Sequence, residues 1–446
     1  MKNSLWIILI LTILYSCANK YETITPSETN RTQRWNQDIT YFKNEFLDKA
    51  KTYTDEAKDS CLVILANLRN QIDELSDTQI KLELARCVVL ADNGHTTLPI
   101  GSKQKIPLRF YRFSDGIYVV RADRETADYL GVKVLQINGI DVETVEAQLF
   151  PYISGLERWK KQKTIDLITS PDFLYEAGVI KTKDSYTLTL SKEGGIEEIN
   201  FQSATIKNDQ PWYKHWANLY PAEQEETDWT FLKSDKNRLP LYLKKAEEGV
   251  FYTFDDEEKI AYFQVNSFWD DCSNFKERVD NFNETLTTKR DYDVVIDLRF
   301  HTGGNYMYSN KLASEPPKII NDDSKIYLIT SNKTYSAAIV TAARVKYYAE
   351  DKIVIVGEEV GDRLKFWAES EACVLPNSGT RIYNPLKEHD WIDNKRRLSR
   401  THLANFLYGV PAKELDLDKA IGLSFEEYME NQDPILEWIV ERNGAD

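Results

Sequence analysis

Residues 293–304 read DVVIDLRFHTGG, an apolar run that ends in charged residues and then in two adjacent glycines. A second run, IYLITSNKTYSAA at 326–338, ends in a hydroxyl group followed by small residues. Apolar runs of this length that alternate with helical patterns are typical of buried parallel strands. The neighbouring predicted elements are strands at 260–265 and 353–356 and helices near 272–289 and at 337–348. The chain is therefore predicted to contain an α/β core, a mainly parallel sheet covered by helices.

The ends of these two strands carry residues suited to chemistry. Adjacent glycines such as Gly303 and Gly304 allow a backbone to present its N–H groups to a ligand. Ser336 stands at the start of a predicted helix, where the helix dipole favours negative charge. Sites in α/β sheets form at the ends of strands. The pattern predicts a nucleophile beside an oxyanion hole.

The two segments resemble the Asp-Leu-Arg-x-Asn-x-Gly-Gly signature and the nucleophile segment of the tail-specific (C-terminal processing) serine protease family. IVGEEVG at 355–361 and DPILEWIV at 433–440 resemble later segments of that family, so the resemblance spans most of the chain. It implies a crotonase-like or ClpP-like fold and a serine peptidase that needs no cofactor or metal. It also implies three roles: nucleophile for Ser336, and oxyanion donors in Gly303 or Gly304 and in the N–H of Ala337.

The resemblance leaves the general base to be chosen between two branches of the family. One branch uses a Lys in a Gly-Lys-Gly turn, but this chain reads Gly361-Asp362-Arg363 there, and Lys365 is out of register. Arg is too basic to accept a proton. The other branch, which is tricorn-like, uses a His, and ADNGHTTLP at 91–99 resembles its Asp-Gly-His-Thr motif. His95 is therefore predicted to be the base, the alternative being a His that only bonds a turn.

Some residues depart from the family pattern. His301 stands where Asn is usual, a change expected to disturb the glycine loop, and no acid that would orient the base is legible in residues 404–418. Glu358 and Glu359 form an acidic pair that is more often solvated than functional. Tyr335 is interpreted as a packing residue. The rival hypothesis is a catalytically inactive ligand- or peptide-binding lipoprotein, similar to the retinoid-carrying repeats of interphotoreceptor proteins.

The N-terminus predicts export. Residues 1–17 combine one Lys, a short apolar run and Leu14-Tyr15-Ser16-Cys17, which resembles a bacterial lipobox. The run is too short to span a bilayer but suits a signal peptide, and an ordinary secretory signal is the alternative. We therefore predict a lipoprotein signal peptide, acylation of Cys17, and a cell-envelope protein attached to the membrane through a lipid anchor. Residues 18–34 are polar and predict a tether.

The rest of the chain is predicted to have four parts. Residues 35–104 show helical spacing and predict an N-terminal helical segment. Residues 105–202 predict a PDZ-like β-rich domain with a helical insert, because LGVKVLQINGIDVETV at 130–145 resembles a PDZ domain of bacterial proteases. Residues 203–258 lack periodicity and are interpreted as a connection, and 259–446 as the protease core domain.

Charge and cysteine usage restrict the partners. The chain has 56 basic and 71 acidic residues, a net charge of −15, and no basic cluster interleaved with aromatic residues, so nucleic acid is not expected as a partner. The four cysteines other than Cys17 never occur as CxxC, so a metal cluster is not expected. A polypeptide substrate follows from the family resemblance alone, and the oligomeric state is not fixed.

Overall fold

The structure is a computed structural model. It describes residues 21–22, 25–26, 30–192, 194–205, 214, 216–219, 229–269, 274–395, 397 and 400–443. The predicted signal peptide, including Cys17, and much of the predicted tether lie outside the described residues. Within the described part of the chain, no helix has both the length and the apolar character needed to cross a membrane.

The chain begins with a helical layer. Its helices are α1 (Arg31–Tyr41), continued by a π-helical turn (Phe42–Leu47), α2 (Asp55–Gln71) and α3 (Asp77–Val89). Each helix starts at a polar cap, and Ser76 forms a complete capping box with Gln79. The side chain of Asn30 caps α1, so residues 31–34 belong to a helix and not to the predicted tether.

A β-rich domain follows. Its strands are β1 (Gln104–Lys105), β2 (Leu108–Phe113), β3 (Gly116–Asp123), β4 (Lys133–Ile137), β5 (Ile140–Asp141), β6 (Ser185–Lys192), β7 (Gly195–Gln202), β8 (Ala204–Thr205) and β9 (Trp229–Phe231). The main sheet has the order β2-β3-β4-β6-β7, with β5 on β4 and β9 on β3. Asn138 and Gly139 both have positive φ at the predicted hairpin turn, as a tight two-residue turn requires.

Helix α4 (Val142–Leu149) directly follows β5. The helical insert that the sequence predicts inside this domain consists of α5 (Glu157–Leu167) and α6 (Pro171–Glu176). Part of the predicted connection also belongs to the domain, because β9 pairs with β3. Residues 203–258 therefore contribute strands to the β-rich domain and to the core domain, and they do not act only as a link between the two.

The core domain is a six-stranded sheet with helices on its faces. Its strands are β10 (Val250–Asp255), β11 (Ile260–Val265), β12 (Asp293–Asp297), β13 (Ile326–Thr330), β14 (Ile353–Gly357) and β17 (Lys419–Ala420), in the spatial order β10-β11-β12-β13-β14-β17. Only β10 pairs antiparallel to its neighbour among these strands. The predicted mainly parallel α/β core is therefore confirmed, but it begins one strand earlier than residue 259.

Helices and a long hairpin complete the core domain. The helices are α7 (Leu241–Lys244), α8 (Phe275–Leu286), α9 (Ser309–Ser314), α10 (Pro316–Ile319), α11 (Ala337–Ala349), α12 (Leu403–Tyr408), α13 (Phe425–Glu430) and α14 (Pro434–Asn443). Strands β15 (Lys365–Val374) and β16 (Arg381–Asp390) form an antiparallel hairpin. Cys373, Leu375 and Ile382 bury their side chains in the same hydrophobic cluster as α1, α2 and α3. The hairpin thus joins the N-terminal helices to the core.

Candidate active site

Ser336 lies in the sharp turn between strand β13 and helix α11. Its backbone has φ 56° and ψ −116°, a conformation that costs a non-glycine residue about 1–3 kcal/mol and persists only where the surroundings enforce it. The N–H of Tyr335 donates to the carbonyl of His301 (3.1 Å), which fixes the turn on its N-terminal side. The first N–H groups of a helix have no acceptor within the helix, so the start of α11 favours negative charge at Ser336.

His95 is held against the core by the hairpin. Asn93 donates through Nδ2 to the carbonyl of Trp367 (3.1 Å) and accepts the N–H of Trp367 through Oδ1 (2.9 Å). Ser370 donates to the carbonyl of His95 itself (3.2 Å). These contacts place Nε2 of His95 2.9 Å from Oγ of Ser336. The separation predicted between base and nucleophile is therefore present, while their catalytic roles stay predictions.

The surroundings of His95 keep its ring neutral. Its ring stacks on Phe366, with centroids 5.1 Å apart. Burial first, and then the nearby His389, lower the pKa of His95 from 6.5 to about 3, while the charge of Glu369 acts in the opposite direction. At neutral pH the imidazole is unprotonated, so Nε2 can accept the Ser336 proton. His95 is half-buried, and an imidazole in such a site needs a nearby negative charge when it becomes protonated during a reaction.

The glycine loop borders Ser336. A Cβ on Gly303 would lie 3.1 Å from Cβ and 3.5 Å from Oγ of Ser336. The N–H of Gly303, however, donates to Nδ1 of His301 (3.3 Å). The carbonyl of Gly303 accepts the N–H of Phe268, and the N–H of Asn305 donates to the carbonyl of Phe268. The N–H of Gly304, which lies between them, therefore points away from Phe268. The N–H of Gly303 is thus already engaged, whereas that of Gly304 is not used in the contacts with Phe268, and the oxyanion roles of Gly303 or Gly304 and of Ala337 stay predictions.

His301 supports the loop that it was expected to disturb. The side chain is fully buried, and its ring meets Phe268 edge to face at 4.5 Å. Burial lowers the pKa of His301 to about 3, so Nδ1 stays free to accept the Gly303 N–H. The N–H of Gly303 needs an acceptor, and the neutral imidazole of His301, two residues earlier, provides one.

Tyr335 contacts the base directly, which the sequence did not predict. Its hydroxyl lies 3.3 Å from Nδ1 of His95, and its ring stacks on the imidazole with centroids 4.8 Å apart. The other face of the ring is covered by Trp159 of the helical insert at 4.0 Å. Behind the hydroxyl lies the buried carboxylate of Asp362, in the Gly361-Asp362-Arg363 turn. No sequence motif marks this contact, because it depends on the tertiary approach of three distant segments.

The other titratable residues singled out in the sequence are engaged elsewhere. Lys365 pairs with Glu388 across the hairpin (3.4 Å). Glu358 accepts the N–H of Asn332 (3.3 Å). Glu359 is exposed and lies 3.6 Å from Arg158. Neither glutamate contacts His95 through a hydrogen bond in the described residues.

Comparison with known proteins places the fold. Neither a scan against protein-family models nor a search of curated proteins finds a match. Among solved structures, the chain is similar to mature CPAF complexed with lactacystin, with a TM-score of 0.60 at 10% identity over 93% of this chain and 98% of that chain. It is also similar to mature CPAF, with a TM-score of 0.57 at 11% identity over 92% and 96%. The chain therefore shares its overall fold with these two solved structures.

Proposed function

We propose that the chain is a serine peptidase that hydrolyses polypeptides through an acyl-enzyme, with Ser336 as nucleophile and His95 as general base. The observation that carries the proposal is the 2.9 Å separation between Oγ of Ser336 and Nε2 of His95. A seryl hydroxyl is a poor nucleophile unless a base lies within hydrogen-bond reach, and this base is neutral at physiological pH. The resemblance of residues 293–304 and 326–338 to segments of the tail-specific protease family supports the same reaction class.

The residues divide the reaction between them. As Oγ of Ser336 bonds to the carbonyl carbon of the peptide, its proton moves to Nε2 of His95, and the carbonyl oxygen becomes negatively charged. The N–H groups of Gly304 and Ala337 donate to that oxygen, and the helix start at Ala337 adds a favourable dipole. His95 then returns the proton to the leaving amine, and water releases the acyl group by the reverse sequence.

The experiment that tests this function uses labelling and turnover together. A fluorophosphonate probe should label the wild-type protein rapidly, because only an activated serine reacts with it, and Ser336→Ala should not label. An unfolded protein substrate should be cleaved by the wild type and left intact by Ser336→Ala. If the wild type neither labels nor cleaves, the proposal fails and the inactive binding-protein alternative replaces it.

We also propose that this peptidase is an exported lipoprotein whose substrates are polypeptides of the cell envelope. The support comes from the sequence alone, where Leu14-Tyr15-Ser16-Cys17 follows a short apolar run. Lipid chains on Cys17 would hold the protein at a membrane. Wild-type protein should fractionate with membranes, and Cys17→Ala should move to the soluble fraction. A wild-type protein that is soluble without detergent would contradict the anchor.

A further inference from the structure

The environment of Tyr335 suggests a role beyond packing. Its ring is held between Trp159 on one face and His95 on the other, with ring centroids 4.0 Å and 4.8 Å away. The side chain is 5% exposed, and its hydroxyl has His95 Nδ1 within 3.3 Å. Stacking on both faces fixes the position of the ring, so the hydroxyl is presented to Nδ1 from a rigid support.

Asp362 supplies a charge beside that hydroxyl. Its side chain is 2% exposed, and among the described residues its Oδ2 atom has no hydrogen-bond partner of normal geometry. Oδ1 is used locally, because it accepts the N–H of Arg363 (2.8 Å). A buried carboxylate oxygen without a donor is costly, and such groups call for an explanation. The polar group that faces Oδ2 is the hydroxyl of Tyr335.

Gly94 makes this approach possible. A Cβ at position 94 would lie 2.3 Å from the Tyr335 hydroxyl oxygen and 2.7 Å from Asp362 Oδ2. The two polar atoms therefore converge on the backbone directly before His95, in space that any larger residue would occupy. Gly94 does not have positive φ, so space and not backbone conformation explains a glycine here. The Asn-Gly-His sequence thus supplies the base, His95, and also, through Gly94, the space that Tyr335 and Asp362 occupy beside it.

We infer that Tyr335 and Asp362 are the positioning residues of the base, so that His95 Nδ1–H donates to the Tyr335 oxygen and the Tyr335 hydroxyl donates to Asp362 Oδ2. This inference rests on the proposed function and supplies the orienting acid that residues 404–418 do not provide. The chain of bonds fixes the neutral His95 tautomer in which Nε2 is the acceptor that faces Ser336. It also places a negative charge near the imidazolium that forms when Ser336 attacks.

The proton transfers of this proposal balance without another reactant. The Ser336 proton moves to Nε2 of His95 and later to the leaving amine, while the Nδ1 proton remains on the imidazole throughout. Asp362 must be ionised to accept the Tyr335 proton in a hydrogen bond. Burial raises the pKa of Asp362 to about 6, against the opposing effects of Arg363 and Arg158 and with a small contribution from Asp92. The same burial, and the charge of Asp362, raise the pKa of Tyr335, so its hydroxyl stays protonated.

Other charged groups also face His95. Glu369 and His389 lie on the hairpin side, and they act on its pKa in opposite directions. Neither is hydrogen-bonded to the ring of His95 in the described residues, and Glu369 lies 3.3 Å from Nε2 of His389. Asp362 is therefore the carboxylate that a Tyr335→Phe substitution should disconnect from the base.

The first test compares Tyr335→Phe and Asp362→Asn with the wild type in the peptidase assay. Both variants should lose at least about tenfold in kcat with little change in KM, because the tautomer and orientation of the base are disturbed while the substrate contacts remain. The wild-type rate should fall as pH decreases through about 6, and this dependence should disappear in Asp362→Asn. Matched controls are Tyr186→Phe, a buried Tyr bonded to the carbonyl of Ile168, and Asp92→Asn, an exposed Asp beside Arg363.

The second test does not need turnover. Nitrogen-15 NMR of the histidine rings, with His95 assigned through His95→Gln, should show the Nδ1–H tautomer in the wild type. Tyr335→Phe should shift His95 towards a mixture of tautomers, and Tyr186→Phe should not. Gly94→Ala should act like Tyr335→Phe, because the new methyl group separates the hydroxyl from Asp362.

The outcomes distinguish this inference from the proposed function. Wild-type kcat, pH profile and His95 tautomer in both Tyr335→Phe and Asp362→Asn would overturn the inference while Ser336-dependent cleavage stands. Absence of Ser336-dependent cleavage in the wild type would overturn the proposed function, and the NMR comparison would still decide whether Tyr335 fixes the imidazole. A loss of activity with an unchanged tautomer and unchanged pH profile would assign Tyr335 a purely structural role and also reject the inference.

Discussion

Oγ of Ser336 lies 2.9 Å from Nε2 of His95, although 241 positions separate the two residues in the sequence. The serine is fixed by the turn between strand β13 and helix α11. The histidine is fixed by the two hydrogen bonds between Asn93 and Trp367 of the hairpin and by the one that Ser370 of the hairpin donates to the carbonyl of His95. The pair therefore depends on two supports that fold from different parts of the chain. Each support can be altered separately from the reacting atoms.

If the pair acts as a unit, removing either member should remove the function of the other. We expect Ser336→Ala, His95→Ala and the double variant each to lose peptidase activity by about 10⁴-fold or more, and to nearly the same level, because effects within a catalytic unit do not add. Single-turnover rates on an unfolded protein substrate provide the measurement. Losses that multiply in the double variant would contradict a shared mechanism.

The glycine loop predicts two different outcomes at adjacent positions. Gly303→Ala places a methyl group 3.1 Å from Cβ of Ser336 and should lower kcat by about 10²-fold with the fold retained. Gly304→Ala would bring its methyl group to 2.1 Å from the backbone of Phe268, so this variant should lose stability as well. Gly178→Ala, which also has positive φ but open space around it, controls for backbone strain. Circular dichroism melting and kcat separate the two effects, and equal kcat in Gly303→Ala and the wild type would exclude crowding of Ser336.

A buried ion pair ties the C-terminus to the site. Arg299 forms two hydrogen bonds to Asp433, each of 3.0 Å, and a third to Asp297 of 2.7 Å. Asp433→Ala should lower the free energy of unfolding by about 3–5 kcal/mol, because part of a buried charge loses its partner. In the exposed pair of Arg363 and Asp92, one guanidinium nitrogen donates to both carboxylate oxygens, and Asp92→Ala should cost no more than about 1 kcal/mol because water screens the pair. Urea unfolding of the two variants should differ, and equal costs would refute a stabilising role of burial.

The buried His301 predicts a dependence of stability on pH. Burial lowers its pKa from the ordinary value of 6.5 to about 3 in the folded protein, so the unfolded chain binds the extra proton between these values. The free energy of unfolding should therefore decrease as pH falls below about 6.5, and for this one group by about 2 kcal/mol between pH 7 and pH 5. His301→Asn keeps an acceptor for the Gly303 N–H and should show a correspondingly smaller loss. Urea unfolding at the two pH values is the measurement, and identical losses in both proteins would contradict the assignment.

The core sheet could be predicted from the sequence because its strands are continuous apolar runs. Ser336 and His95 could be found because their segments resemble motifs of one family. The β15–β16 hairpin could not, since charged residues interrupt its pattern and Pro385 argues against a strand. The contact of Tyr335 with His95 was missed for a related reason. No spacing in the sequence distinguishes a Tyr beside a nucleophile from a packing residue. Its partner Asp362 lies in the turn where one branch of the family has its lysine, so the sequence drew attention to the lysine that is missing there and not to the aspartate.

The hairpin has a consequence for how the site comes into existence. A ribosome makes His95 early, but β15 and β16, which hold it beside Ser336, end at Asp390. Since chains are synthesised from the N-terminus, the base has no support and no nucleophile until most of the polypeptide has emerged. The proposed catalytic pair would thus form only after the hairpin has been synthesised, and a shorter nascent chain would lack it.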